Sequence, residues 1–205
     1  MKLNWAERMA VNNPIRVLQQ KAEVRWFKHA AHIPPSSTIL EIGCGRGAGA
    51  RLILREFHPR LFHASDLDLA MIRKATHYLA AQELQKIRLL AGDVLHLPYR
   101  EETLNAVFVF GVLHHVDDWR AALAEIARVL KPEGTFCFEE LYPSLYQNCL
   151  TKHILLHPRA NRFHSDDLRS GLEDVGFSMR NFRECRNLGI LAVAKKEDRP
   201  YAPNA

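Results

Sequence analysis

One stretch constrains this chain more than any other: "TILEIGCGRGAGA", residues 38–50. A short apolar run carries Glu41, and Gly43, Gly45, Gly47 and Gly49 then follow at every second position. Glycine inside a regular element is unfavourable by ~1 kcal/mol relative to alanine. So dense a run marks a place where the backbone takes positive φ, or where something comes close that a Cβ would block.

The rest of the pattern says what kind of sheet carries this turn. Strand-like runs "TILEI", "LFHAS", "KIRLLAG", "LNAVFVFGVL" and "GTFCFEE" are separated by helical ones, "GAGARLILREF", "LAMIRKATHYLAAQEL" and "WRAALAEIARVL". Such alternation predicts a parallel sheet covered on both faces. After a helix "SDDLRSGLEDVG" come two more strands, "FSMRNFREC" and "GILAVAKK". The link between them is too short for a parallel crossover, so they should pair antiparallel. Ahead of the sheet, Asn13 stands at an N-cap, Pro14 at the first helical position and Pro34 at a stop. Ile15, Leu18, Ala22, Val24, Trp26 and Phe27 would form the apolar face of this helix, and a shorter turn around Trp5–Met9 would precede it. The expected fold class is α/β: a doubly wound, Rossmann-like, seven-stranded sheet with an antiparallel last strand, helices on both faces and an extra N-terminal helix.

Composition narrows the function classes. At 205 residues, 47% hydrophobic and 25% charged, the chain suits one ordinary globular domain. No run approaches the ~18–20 apolar residues of a membrane span, and the first ten residues hold no apolar leader core, so a cytoplasmic location is expected. The cysteines Cys44, Cys137, Cys149 and Cys185 form no CxxC pair and read as reduced thiols. The net charge of +5 is spread along the chain, so nucleic acid is not an expected partner.

A doubly wound sheet binds ligands beyond the carboxyl ends of its strands, where the strand order reverses. Dinucleotides and S-adenosylmethionine both use a glycine turn there. "GCGRGA" fits the dinucleotide pattern G-x-G-x-x-A, and Asp66 at the end of the second strand could hold the ribose of either. Three features favour the second ligand. Glu41 is ill placed for an anionic pyrophosphate but well placed for a ligand carrying an amino group. Asp93, in "AGDVLHLPY", can accept from an adenine amine. "FGVLHHVDD" follows the fourth strand.

With these residues the sequence resembles the class I S-adenosylmethionine-dependent methyltransferases of the small-molecule type that includes quinone and sterol methyltransferases. The resemblance runs from about Thr38 to Glu140 through "ILEIGCGRG", "SDLDLAMIRKA", "GDVLHLPY", "VFVFGVLHHVDD" and "VLKPEGTFCF". It implies that Gly43 and Gly45 pack under the methionine part of S-adenosylmethionine and that Glu41 supports that loop. It further implies Asp66 on the ribose, Leu67 beside the adenine, Asp93 and Val94 on the adenine, and Phe110 and Gly111 as the wall near the methionine. Two positions depart from the family. Asn105 stands where the fourth strand usually starts with Asp, and Asp68-Leu69 where Ser-Pro is common.

On this reading residues 1–205 form a single domain. Residues 1–35 are a helical cap, 36–140 the cofactor-binding core, 141–164 an acceptor-side insert, and 165–205 a closing helix, hairpin and polar tail. The expected partner is a small-molecule methyl acceptor, and the expected state a monomer or homodimer. No catalytic triad is visible. His114 and His115 are candidate general bases, with cofactor-loop scaffold as the competing role. Tyr142, Tyr146, His153, His157 and Arg159 are the acceptor-side candidates. His153 and His157 have i, i+4 spacing with His164 nearby, but no glutamate follows the first histidine and Pro158 ends the turn, so no metal is expected. Rival functions are an NAD-type oxidoreductase and a non-catalytic cofactor-binding protein on the same fold.

Overall fold

The computed structural model describes residues 13–146, 162–185 and 188–198. Helix α1 (Pro14–Ala30) comes first, then β1 (Thr38–Ile42), α2 (Ala48–Phe57), β2 (Leu61–Asp66), α3 (Leu69–Tyr78), α4 (Ala81–Leu84) and β3 (Ile87–Ala91). Next come β4 (Leu104–Phe110), a 3₁₀ turn (Leu113–His115), α5 (Trp119–Val129), β5 (Leu130–Leu141) and α6 (Pro143–Tyr146). Helix α7 (Ser165–Asp174), β6 (Phe177–Cys185) and β7 (Gly189–Lys196) close the described chain. The strands form one seven-stranded sheet in the order β3-β2-β1-β4-β5-β7-β6. Strands β1 to β5 pair parallel, and β7 lies antiparallel between β5 and β6. The expected fold class, with its antiparallel last strand, is the one observed.

Alternation along each strand decides the two cores. Leu40, Ile42, Val107, Val109, Phe136 and Phe138 point to one face and pack with α5 and α7. Ile39, Ala106, Phe108, Phe110 and Cys137 point to the other and pack with α1, α2 and α3. The carboxyl ends of β1, β2, β4 and β5 share one edge, and the order reverses between β1 and β4. The glycine turn leaves the sheet at that point.

Three local expectations change. The long helix expected over residues 69–84 breaks at Leu79, which is extended and buried between α3 and α4. Arg51 of α2 holds the break by donating to the Tyr78 carbonyl and stacking on the Tyr78 ring. Glu83 restarts the helix by accepting from Ala80 N at 3.0 Å. The strand expected over 104–113 ends at Phe110, where Gly111 takes φ 67° and the chain enters the 3₁₀ turn.

The third change concerns α1. Asn13 caps it by accepting from Arg16 N at 2.8 Å. But Ile15 and Leu18 are 76% and 68% exposed, while the buried residues are Glu23, Val24 and Phe27. The inward face of its first half is polar because it lies over buried carboxylates of the sheet, described below.

Candidate functional site

Strand β1 delivers Glu41 to the sheet edge almost completely buried, at 1% exposure. Among the described residues its Oε2 has no hydrogen-bond partner. Burial, and secondarily the charge of Asp66, push the carboxyl up to about 8. Gly49 explains how it fits: a Cβ there would stand 2.1 Å from Glu41 Oε1. Glycine at the start of α2 therefore makes room for the carboxylate.

Gly45 has a different reason. It takes φ 54°, and an added Cβ would meet nothing within 4 Å, so the turn presents bare backbone to open space. Its N–H donates to Asp66 Oδ2 at 2.9 Å. Asp66 Oδ1 accepts from Asp68 N at 2.8 Å, so this one carboxylate fixes both the glycine turn and the exit from β2. Gly43 packs against Val112, which links the turn to the loop after β4.

The other expected cofactor residues gather on the same edge. Leu67, 44% exposed, follows Asp66. Asp93 accepts from Leu95 N at 3.0 Å, closing the turn after β3. Val94 is buried in the core with α5. Phe110 and Gly111 end β4. The departures from the family are absorbed: Asn105 Oδ1 accepts from Thr38 N at 2.9 Å, and Asp68 caps α3 through Ala70 N at 2.9 Å.

The histidines divide. His114 is buried, and its Nδ1 lies 2.8 Å from Glu140 Oε2, to which it donates. Glu140 also accepts from Val112 N and Leu113 N through Oε1 and from His114 N through Oε2. This fully buried carboxylate thus holds the whole turn, and His114 is part of that scaffold. His115 is half-buried, its ring 4.2 Å from that of His114.

Adjacent Glu139 points to the opposite face. Its Oε2 accepts from Arg16 of α1 at 2.8 Å and stands 3.5 Å from where a Gly111 Cβ would be. Arg16 also donates to Glu23 at 3.0 Å. Burial pushes the Glu139 carboxyl up to about 7, against the opposing charge of Arg16. Sequence reasoning passed over Arg16, Glu139 and Glu140. The available signal was two successive glutamates inside the apolar strand "TFCFEEL".

The acceptor side is corrected at one residue. Tyr142 is fully buried, and its hydroxyl donates to Glu184 of β6 at 2.7 Å. Its polar end is used inside the fold, because the chain after β5 turns back over the sheet. Tyr146 ends α6, its side chain outside the described residues, as are His153, His157 and Arg159. Among the described residues, Cys44 and Cys137 are buried and free, and Cys185 is exposed and free. No helix among them is long and apolar enough to cross a membrane.

Residues 40–138, spanning the glycine turn to the end of β5, match the family described as a methyltransferase domain. Just under half of the chain is therefore similar to a methyltransferase domain. Over 108 residues it is 33% identical to the phthiotriol/phenolphthiotriol dimycocerosates methyltransferase of Mycobacterium tuberculosis, covering 52% of this chain and 38% of that one. Over 123 residues it is 30% identical to sterol 24-C-methyltransferase erg6 of Schizosaccharomyces pombe, covering 59% and 32%. The chain thus spans well under half the length of these curated relatives. A solved S-adenosylmethionine-dependent methyltransferase from Aquifex aeolicus superposes with a TM-score of 0.72 at 16% identity, over 95% of this chain and 100% of that one. That likeness is one of fold.

Proposed function

We propose that this chain is an S-adenosylmethionine-dependent methyltransferase acting on a small-molecule O, C or N acceptor. One observation carries the cofactor: a buried, unpartnered carboxylate oxygen on Glu41, two residues before a glycine turn open to a ligand. A buried carboxylate left unsatisfied is costly. A ligand ammonium would satisfy it, whereas a pyrophosphate would be repelled. The residues therefore fit S-adenosylmethionine better than a dinucleotide. Glu41, Gly43 and Gly45 would hold its amino-acid end, Asp66 the ribose, Leu67, Asp93 and Val94 the adenine, with Phe110 and Gly111 as the wall.

When bound, the cofactor supplies a methyl group already activated by a sulfonium. The chain's part is to orient and to exclude water. Holding an acceptor about 3 Å from the methyl, in line with the sulfur, can supply much of the ~7–11 kcal/mol available from orientation. The carboxylates of Glu41 and Glu139 stand on the edge where that positive charge would sit. Helix α1 covers that edge. The relatives named for methylating a sterol and a lipid support an apolar small molecule as the acceptor class. Tyr146, His153, His157 and Arg159 remain the acceptor-side candidates.

Asp66→Ala tests the cofactor reading. It removes the acceptor for ribose hydroxyls and releases Gly45 N, so S-adenosylmethionine binding should weaken by about 1.5–3 kcal/mol. Titration calorimetry on the folded variant checks this, and unchanged affinity would refute the role of Asp66.

A further inference from the structure

The two halves of α1 are held by different forces. From Glu23 onward, Val24 and Phe27 are fully buried in the core, and Asn181 of β6 donates to the Ala30 carbonyl at 2.8 Å. From Pro14 to Ala22 no apolar residue is buried, and Ile15 and Leu18 face solvent. Among the described residues, the hydrogen bond recorded from this half to the sheet is Arg16 to Glu139 at 2.8 Å. The side chain of Arg16 is only 15% exposed and that of Glu139 only 8%. This half-helix also brings Gln20 onto Gly49: Gln20 Nε2 lies 3.5 Å from where a Gly49 Cβ would stand. It therefore lies over the start of α2, where Gly49 makes room for Glu41 Oε1.

A half-helix without apolar anchorage has little reason to stay docked except its polar tie. Low-stability elements of this kind open locally while the core stays folded. A largely buried ion pair holds only while both partners are present, since losing one leaves the other charge buried and uncompensated.

We propose that Arg16 is a positioning residue: its bridge to Glu139 latches the first half of α1 over the amino-acid end of the cofactor site, and the helix hinges near Glu23 to admit and release the cofactor. This rests on the cofactor reading above. Glu139 is faced by Arg16 and Glu23 from α1, by His114 from the 3₁₀ turn and by Glu140 on its own strand. Of these, Arg16 is the member that bonds it across to the helix.

The test compares Arg16→Gln and Arg16→Lys with the wild type by two readouts. Arg120→Gln, which breaks the exposed pair with Asp174, serves as a control for ion-pair loss elsewhere. The first readout is amide hydrogen exchange without ligand. Arg16→Gln should speed exchange at residues 17–22 by about tenfold while Val24–Ala30 stay within about twofold of wild type, and Arg16→Lys should fall between. The second is stopped-flow dissociation of S-adenosylhomocysteine. Release should quicken about fivefold or more in Arg16→Gln with little change in association rate, and Arg120→Gln should match wild type. Unchanged exchange at 17–22, exchange raised evenly along the chain, or unchanged release despite local opening would each overturn the latch. Local opening in a series where even the wild type binds no S-adenosylhomocysteine would leave the hinge standing and remove the cofactor reading instead.

Discussion

Glu140→Ala should destabilise the protein by about 3–5 kcal/mol, the range for removing one member of a buried charged network. Four donors lose their acceptor at once: the N–H groups of Val112, Leu113 and His114, and His114 Nδ1. Glu140 is completely buried, so water cannot replace it without opening the structure. In a chain of 205 residues this corresponds to a fall in Tm of roughly 6–20 °C. Glu140→Gln keeps one acceptor oxygen and should lose less. The damage should also reach the glycine turn, because Val112 packs on Gly43. Urea unfolding of both variants checks the ranking. A loss for alanine below about 1 kcal/mol would mean that the turn holds itself.

Glu41→Gln should act in the opposite sense on stability. The Glu41 carboxyl is raised from an ordinary 4.5 to about 8 by burial and by Asp66. Between those values the folded state holds a proton that the unfolded chain has released, so stability falls as pH rises. The penalty is absent below the unfolded value, grows through neutral pH and is complete above about 8. An uncharged, isosteric glutamine avoids it. At pH 8 the variant should gain about 2–4 kcal/mol, and at pH 4.5 almost nothing. The same change removes the partner for the cofactor's ammonium. S-adenosylmethionine affinity should then fall by roughly tenfold or more, the loss of a charge-assisted hydrogen bond. Thermal unfolding at the two pH values, with calorimetry at one, measures both effects. A variant no more stable at pH 8 than the wild type would show that Glu41 finds a partner within the fold.

Much of this site was legible in the sequence because it is built from local devices. Glycines at alternate positions, an acidic residue at the end of β2 and an Asp at a helix start each act within a few residues. The alternation of elements fixed the parallel sheet, and the short final link fixed β7 as the antiparallel strand. What stayed hidden depends on residues far apart in the chain. Arg16 and Glu139 are 123 positions apart, and nothing near Arg16 signals a carboxylate above β5. For the same reason the face of α1 was misjudged. Ile15 and Leu18 look like core in a helical pattern, but the surface beneath that half-helix is charged, so Arg16 and Gln20 turn inward. The break at Leu79 was masked by strong helix formers on both sides; it is imposed from α2 by Arg51. Tyr142 looked like an acceptor contact because it follows a strand on the ligand edge, yet Glu184, contributed by β6, draws its hydroxyl inward. Of the two roles open to His114, base or scaffold, the sequence does not show the Glu140 carboxylate that ties it into the turn.

The most direct test is a calorimetric titration of the wild type with S-adenosylmethionine, with NADH run in parallel. Binding of S-adenosylmethionine with a micromolar dissociation constant and no heat from NADH is the expected result, and it would assign the open glycine turn and the orphaned Glu41 oxygen to one ligand. Binding of NADH and not S-adenosylmethionine would mean that the turn holds a pyrophosphate beside Glu41, and the methyltransferase function would fall.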